Sequence, residues 1–119
     1  MLKRLFLPLT VLAVALTVVA AGNAAPPKLQ GVVGPGFSIT LKSGGKAVKT
    51  LKPGAYTIVV QDKASIHDFH LKGPGVNKST TVPFTGTQTW TVTLKAGSYT
   101  YQCDPHAAAG MKGGFKVAP

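Results

Sequence analysis

Glycine and proline interrupt this 119-residue chain every few residues, with 14 glycines and 9 prolines in all. After residue 25 no segment is long enough between these breaks to form an extended amphipathic helix, and the intervening stretches are short and rich in valine, threonine and tyrosine. These frequent breaks predict many short strands joined by tight turns.

The clearest strand signal lies between Thr87 and Lys95, where threonines at every second position alternate with Trp90, Val92 and Leu94. A period of two with one wet face and one apolar face is typical of a half-buried strand. Trp90 is therefore expected to be a core residue. Further candidate strands are residues 29–33, 37–42, 47–51, 55–62, 67–71, 98–103 and 113–117. Seven or eight short strands predict an all-β fold, an antiparallel Greek-key β-sandwich, whereas residues 77–87 look irregular.

The N-terminus has the order of a secretory signal peptide. Lys3 and Arg4 precede an apolar run from Leu5 to Ala21, and small residues follow. We expect cleavage after Ala24, so that residues 1–24 form the signal peptide and residues 25–119 one domain of an exported, periplasmic or extracellular protein. The alternative is an uncleaved membrane anchor, although the run is short for a spanning helix of about 20 residues.

The expected domain is strongly basic. Residues 25–119 contain eleven lysines and three aspartates but no arginine and no glutamate. Because arginine is the preferred residue for recognising phosphates and bases, this composition argues against nucleic-acid binding. Scattered lysines are typical of solvated strand ends, although their field could steer an acidic protein partner or favour an anionic membrane surface.

One short segment concentrates the soft metal ligands. Cys103 is the only cysteine, Met111 is the only methionine apart from Met1, and His106 lies between them. A thiolate, an imidazole and a thioether suit copper far better than magnesium or calcium, which prefer oxygen. Two nitrogens, one cysteine sulfur and a weak axial methionine make a blue-copper site, so a second histidine is required.

Two histidines could complete this set. His67 and His70 are three residues apart in a candidate strand, so we expect them on opposite faces and only one of them at the metal. The alternatives for the other ligands are a structural core cysteine, a cysteine nucleophile and a plain core methionine. Nothing in the sequence marks a substrate pocket, so we do not expect an enzyme.

These residues resemble a known family. The pattern Cys-x-x-His-x-x-x-x-Met after Gly97–Tyr101 is similar to the C-terminal copper loop of plastocyanins and related cupredoxins. The segment Ser65–His70 resembles their His-Asn strand, in the His-Asn-x-His form of amicyanin-like members, where the first histidine is the ligand. The resemblance implies a cupredoxin-like sandwich with one type 1 copper ion, bound by His67, Cys103 and His106 with Met111 axial.

Three positions depart from that family pattern. The family usually has asparagine at Asp68 and serine or threonine at Asp104, residues that tie the two ligand segments together. We predict that Asp68 keeps the tie to backbone N–H groups near Cys103 and that Asp104 turns outward. Plant plastocyanins carry an aromatic residue at Gln102, linked to a remote acidic docking surface, so here the rim around His106 is the expected contact for redox partners.

The predicted function is therefore that of an exported, monomeric type 1 copper protein that carries single electrons between redox partners. One alternative is copper storage or delivery by the same ligands without redox cycling. Another is zinc binding in a structural or adhesive role, which the methionine in the ligand set argues against.

Overall fold

A computed structural model of the chain describes residues 8, 11–15 and 24–119. The predicted signal peptide, residues 1–24, falls largely outside the described residues and stays a prediction. In the part of the chain that is described, no helix is long and apolar enough to cross a membrane.

The described fold consists of ten strands in two five-stranded sheets. The strands are β1 (Lys28–Val33), β2 (Ile39–Ser43), β3 (Lys46–Ala47), β4 (Thr50–Leu51), β5 (Gly54–Asp62), β6 (His70–Gly73), β7 (Val76–Ser79), β8 (Gly86–Leu94), β9 (Gly97–Gln102) and β10 (Lys112–Val117). One sheet has the order β3-β2-β1-β5-β8 and the other β4-β10-β9-β6-β7.

This architecture confirms the predicted β-sandwich. Most strand pairings are antiparallel, but β1 pairs with β5 and β10 pairs with β4 in parallel, so both sheets are mixed. The predicted strand at residues 47–51 is two short strands in different sheets. The chain crosses from one sheet to the other here, and Val48 is buried between them.

Residues 77–87 were predicted to be irregular, and the structure differs at their start. Strand β7 includes Asn77, Lys78 and Ser79, which are all exposed. It pairs only with β6, at the edge of its sheet. An edge strand with so few buried side chains lacks the alternation that identifies a strand in a sequence, which explains the wrong prediction.

The core lies between the two sheets. From Tyr56 in β5 and from Trp90 in β8 every second residue is buried, as the alternation predicted, including Ile58, Val60 and Val92. Trp90 is also buried and meets Phe69 at a ring-centroid distance of 6.2 Å, which confirms that it is a packing residue.

Both segments that carry the predicted ligands leave the sandwich at the same end. Strand β9 ends at Gln102, and this residue pairs with His70, the first residue of β6. The segment before β6 and the loop after β9 are therefore neighbours. Cys103 directly follows β9 and His67 lies just before β6, so both residues lie at this shared end of the two strands.

Candidate metal centre

Three side chains from the two segments converge on one point. Nδ1 of His67 lies 3.0 Å from Nδ1 of His106. Sγ of Cys103 lies 3.6 Å from the first of these nitrogens and 3.4 Å from the second. Cys103 and His67 are completely buried, whereas His106 is partly exposed. The cluster is thus closed on the core side and reaches the surface through one imidazole.

The loop after β9 is held in shape by its own backbone. Cys103 precedes a short 3₁₀ helix, Asp104–Ala109, which ends at Gly110 with a φ of 101°. A positive φ of this size favours glycine. The N–H of Cys103 donates to the carbonyl oxygen of Met111 at 3.0 Å, and the N–H of Met111 donates to that of His106 at 3.3 Å. The predicted return of the chain towards the cysteine is therefore made by backbone hydrogen bonds.

His67 lies in the loop before β6, not in a strand as predicted. The backbone of Gly34 comes so close that a Cβ there would lie 2.9 Å from Cδ2 of His67. Its φ of 71° is also one that glycine adopts readily. The imidazole is therefore packed against bare backbone on this side.

A short chain of hydrogen bonds fixes the loop behind His67. The N–H of Phe69 donates to Oγ1 of Thr80 at 2.9 Å, and this hydroxyl donates to Oδ2 of Asp62 at 3.1 Å. The N–H of Ala64 donates to Oδ1 of Asp62 at 3.2 Å. The carboxylate thus anchors the loop on both sides of His67, and burial raises the pKa of Asp62.

Sequence reasoning did not assign a role to Asp62 or to Thr80. A signal for the aspartate was present, because residue 62 continues the buried alternation of Tyr56, Ile58 and Val60 in β5. A carboxylate on the core face of a strand needs hydrogen-bonding partners. No comparable pattern marks Thr80.

The structure places His70 away from the three converging side chains. Its Nδ1 lies 2.8 Å from Oδ2 of Asp104, and its Nε2 lies 2.6 Å from Oδ1 of Asn77. Of the two candidate histidines, only His67 is brought together with Cys103.

The two aspartates divide their roles as predicted. Asp68 is buried and accepts a hydrogen bond from the backbone N–H of Asp104 at 2.6 Å. The side chain of Asp104 points outward to His70 and accepts a hydrogen bond from Nε2 of Gln102 at 2.9 Å. Burial, together with the nearby Asp104 carboxyl group, raises the pKa of Asp68. Desolvation opposes ionisation of Asp104 as well, but hydrogen bonds from Gln102, Asp68 and His70 hold its pKa below the usual range.

Phe37 also contributes to the site, and no sequence pattern predicted this role. Its ring is 68% exposed. It meets the rings of His67 and His106 edge-on at centroid distances of 5.4 Å and 4.8 Å. It therefore covers part of both imidazoles from the solvent side.

The converging atoms fit a soft transition-metal ion. The triangle of the two nitrogens and the sulfur has its centre about 1.9 Å from each atom, and such ligands bind ions like Zn²⁺ at roughly 2.0–2.3 Å. Burial raises the pKa of the Cys103 thiol, so a bound cation would stabilise the thiolate here. Met111 is 2% exposed and is tied by its backbone to both Cys103 and His106, so a buried methionine lies next to the three converging residues in the loop.

A two-sheet sandwich with a histidine–cysteine–histidine cluster and a methionine at one end defines a small copper protein of the cupredoxin type, with a type 1 copper arrangement. The sequence profile of the copper-binding proteins of the plastocyanin/azurin family matches residues 37–118, and the chain belongs to this family.

Solved structures agree on the fold. A rusticyanin is 22% identical over 76% of both chains, with a TM-score of 0.59. Auracyanin from Roseiflexus castenholzii is 21% identical over 81% of this chain and 100% of its own, with a TM-score of 0.57. Rusticyanin from Thiobacillus ferrooxidans is 27% identical over 76% of both chains, with a TM-score of 0.52. No curated protein sequence matches the chain.

Proposed function

We propose that this chain is an exported type 1 copper protein that carries single electrons between larger redox proteins. The observation that carries the proposal is the convergence of Nδ1 of His67, Nδ1 of His106 and Sγ of Cys103 at one end of a packed sandwich. Copper bound there would accept and release one electron, and Met111 as the axial ligand would tune the reduction potential.

The protein's own contribution is to hold the ligands in one geometry. His67 is fixed by the hydrogen bonds of its loop to Thr80 and Asp62, and Cys103 is fixed by the backbone bond to Met111. Hydrogen bonds of this kind, made behind the ligands, orient them and tune the metal. A site that moves little favours rapid electron transfer over metal release, which supports a carrier rather than a storage protein.

The rim around His106 is the proposed contact for redox partners. His106 is partly exposed, and Ala107, Ala108 and Ala109 beside it carry small side chains. Phe37 and Ile66, which are 68% and 51% exposed, add larger apolar surface. An exposed apolar patch of this kind marks an interaction site. Partners would therefore approach the imidazole edge directly.

Export is the proposed route to an oxidising compartment. The N-terminal order of basic, apolar and small residues supports it. In such a compartment a metal would protect the lone Cys103 from oxidation.

Voltammetry of the copper-loaded protein tests the proposal. We expect one copper per chain, the intense visible absorption of a copper–thiolate bond and a reversible one-electron wave with fast self-exchange. The matched variant Cys103→Ser should lose both the colour and the wave. Ready transfer of copper to a chelator without a reversible wave would instead support storage or delivery, and a colourless zinc protein as isolated would contradict a copper function.

A further inference from the structure

The charges of the domain are distributed unevenly between its two ends. All three aspartates lie at the end with the metal ligands: Asp62 closes β5, Asp68 follows His67 and Asp104 follows Cys103. Three lysines lie at the same end, since Lys63 follows β5, Lys78 is next to the residue that pairs with His70, and Lys112 pairs with Gln102. The formal side-chain charge of the metal end is therefore zero.

The other eight lysines carry the whole net charge of residues 24–119. They are Lys28, Lys42, Lys46, Lys49, Lys52, Lys72, Lys95 and Lys116, and all of them are exposed. Because the chain has only three acidic residues, no acidic side chain is left to balance these lysines.

Strand register places three of them at the end opposite the metal and a fourth closer to the middle of its sheet. Gly54 pairs with Leu94, so Lys52 and Lys95 lie in neighbouring turns beyond these two strands. Lys116 pairs with Ser98 near the start of β9, so it lies close to the turn between β8 and β9 that contains Lys95. Nζ of Lys95 lies within 3.7 Å of the position of a Cβ on Gly75, in the β6–β7 turn of the other sheet.

Lys28 completes this group. It is the first residue of β1 and pairs with Thr57 in the half of β5 that lies farther from the metal. We call Lys28, Lys52, Lys95 and Lys116 the lysine pole. It includes turns and strand ends of both sheets, with Lys28 nearer to the middle of its sheet than the other three lysines.

The lysine pole lacks the features of a protein interface. The large hydrophobic side chains that are exposed in residues 24–119 are Phe37 and Ile66, and both lie beside the metal ligands. Protein interfaces depend on an apolar or aromatic centre, often with arginine, whereas an anionic lipid surface attracts clustered lysines without such a centre.

We propose that the lysine pole binds the surface of an anionic phospholipid membrane. The metal end then faces away from the lipid, with the rim around His106 open to partners. This inference is independent of the redox function, because attachment to lipid requires no electron transfer.

Binding to lipid vesicles tests it, with the copper-loaded protein as it is isolated from the expressing cell. Vesicles of phosphatidylglycerol mixed with phosphatidylcholine are compared with vesicles of phosphatidylcholine alone, at low and high salt. The variant Lys52→Gln/Lys95→Gln/Lys116→Gln should bind the anionic vesicles about 100-fold more weakly than the parent, since each lysine near such a surface contributes roughly fivefold. High salt should weaken the parent's binding.

The matched control is Lys63→Gln/Lys78→Gln/Lys112→Gln, which removes the same charge from the metal end and should weaken binding by less than about fivefold. All six lysines are exposed, so both variants should keep the visible absorption of the parent. Equal losses in the two variants would overturn the proposal, because net charge alone would then explain binding. Equal binding of the parent to both kinds of vesicle would overturn it too, in favour of the apolar run. No binding to anionic vesicles would also overturn it and leave an acidic protein as the partner of this end.

Discussion

The backbone N–H of Asp104 donates a 2.6 Å hydrogen bond to Oδ1 of Asp68. Each of these residues directly follows a predicted ligand in the sequence, namely Cys103 and His67. The bond therefore joins the two segments on which the metal site is built, and it needs only an acceptor oxygen at residue 68. The hydroxyl of Ser79 donates a hydrogen bond to Oδ2 of the same carboxylate at 3.3 Å.

Replacement of this acceptor tests its role. Asp68→Asn keeps an oxygen at the same position and should leave the visible absorption of the copper protein intact. Asp68→Ala leaves the N–H of Asp104 without its partner. We expect a loss of roughly 1–3 kcal/mol in the free energy of unfolding and of roughly 10–100-fold in copper affinity. Urea denaturation and copper competition measure the two effects, and a bleached Asp68→Asn protein would contradict the assigned role.

The two candidate histidines give a matched pair of variants. His67→Ala removes a nitrogen 3.6 Å from Sγ of Cys103 and should abolish the intense visible absorption. His70→Ala removes only the contacts to Asp104 and Asn77 and should keep the absorption. Because the Asp104 side chain is substantially exposed, the lost contact between His70 and Asp104 should cost less than about 1 kcal/mol. Retained colour in His67→Ala, or lost colour in His70→Ala, would reverse the assignment.

Much of this fold could be predicted because the chain alternates where one face of a strand is buried. Strand β8 was recognisable from its threonines and apolar residues, and the turns from glycine and proline. Strand β7 was not recognisable, since its exposed residues are ordered by pairing with β6 alone. The crossing near Val48 depends on how the two sheets stack, which no local pattern encodes.

The residues of the candidate site also divide into those that a local sequence pattern predicted and those that it did not. Cys103, His106 and Met111 could be predicted as a group because they lie in one loop, where spacing alone brings them close. The support of His67 by Thr80 and the cover provided by Phe37 join segments far apart in sequence. Such contacts arise only once the sandwich has formed, so the residues that make them could not be identified from spacing.

Met111 is expected to set the reduction potential rather than to hold the metal. Met111→Leu keeps a similar apolar volume at this buried position, so the stability loss should stay below about 1.5 kcal/mol. The two histidines and the cysteine remain, so the visible absorption should persist. The variant removes a ligand of the doubly charged ion and puts apolar carbon in its place, which should disfavour the oxidised state and raise the reduction potential, as voltammetry measures. A potential identical to that of the parent would show that the thioether does not act on the metal.

Asp62 should make the stability of the protein depend on pH in a predictable direction. Desolvation raises the pKa of this buried carboxyl group above its ordinary value of 3.8, despite the hydrogen bonds from Ala64 and Thr80. The folded protein therefore binds the proton of the Asp62 carboxyl group more tightly than the unfolded chain does. The resulting stability is fully present below pH 3.8 and is lost as the pH rises through the higher pKa of the folded state.

Asp62→Asn isolates the pH dependence, because its amide does not ionise. Its single oxygen replaces only one of the two acceptors that Ala64 and Thr80 use, but the cost of that lost hydrogen bond does not depend on the protonation of residue 62. We expect the free energy of unfolding of the parent, relative to that of Asp62→Asn, to fall as the pH rises from about 3 to about 7. Urea denaturation of both copper-free proteins across this range measures the difference without a contribution from metal binding. A difference that stays constant, or that grows with pH in favour of the parent, would show that the folded protein stabilises the carboxylate instead, and that the hydrogen bonds outweigh the desolvation.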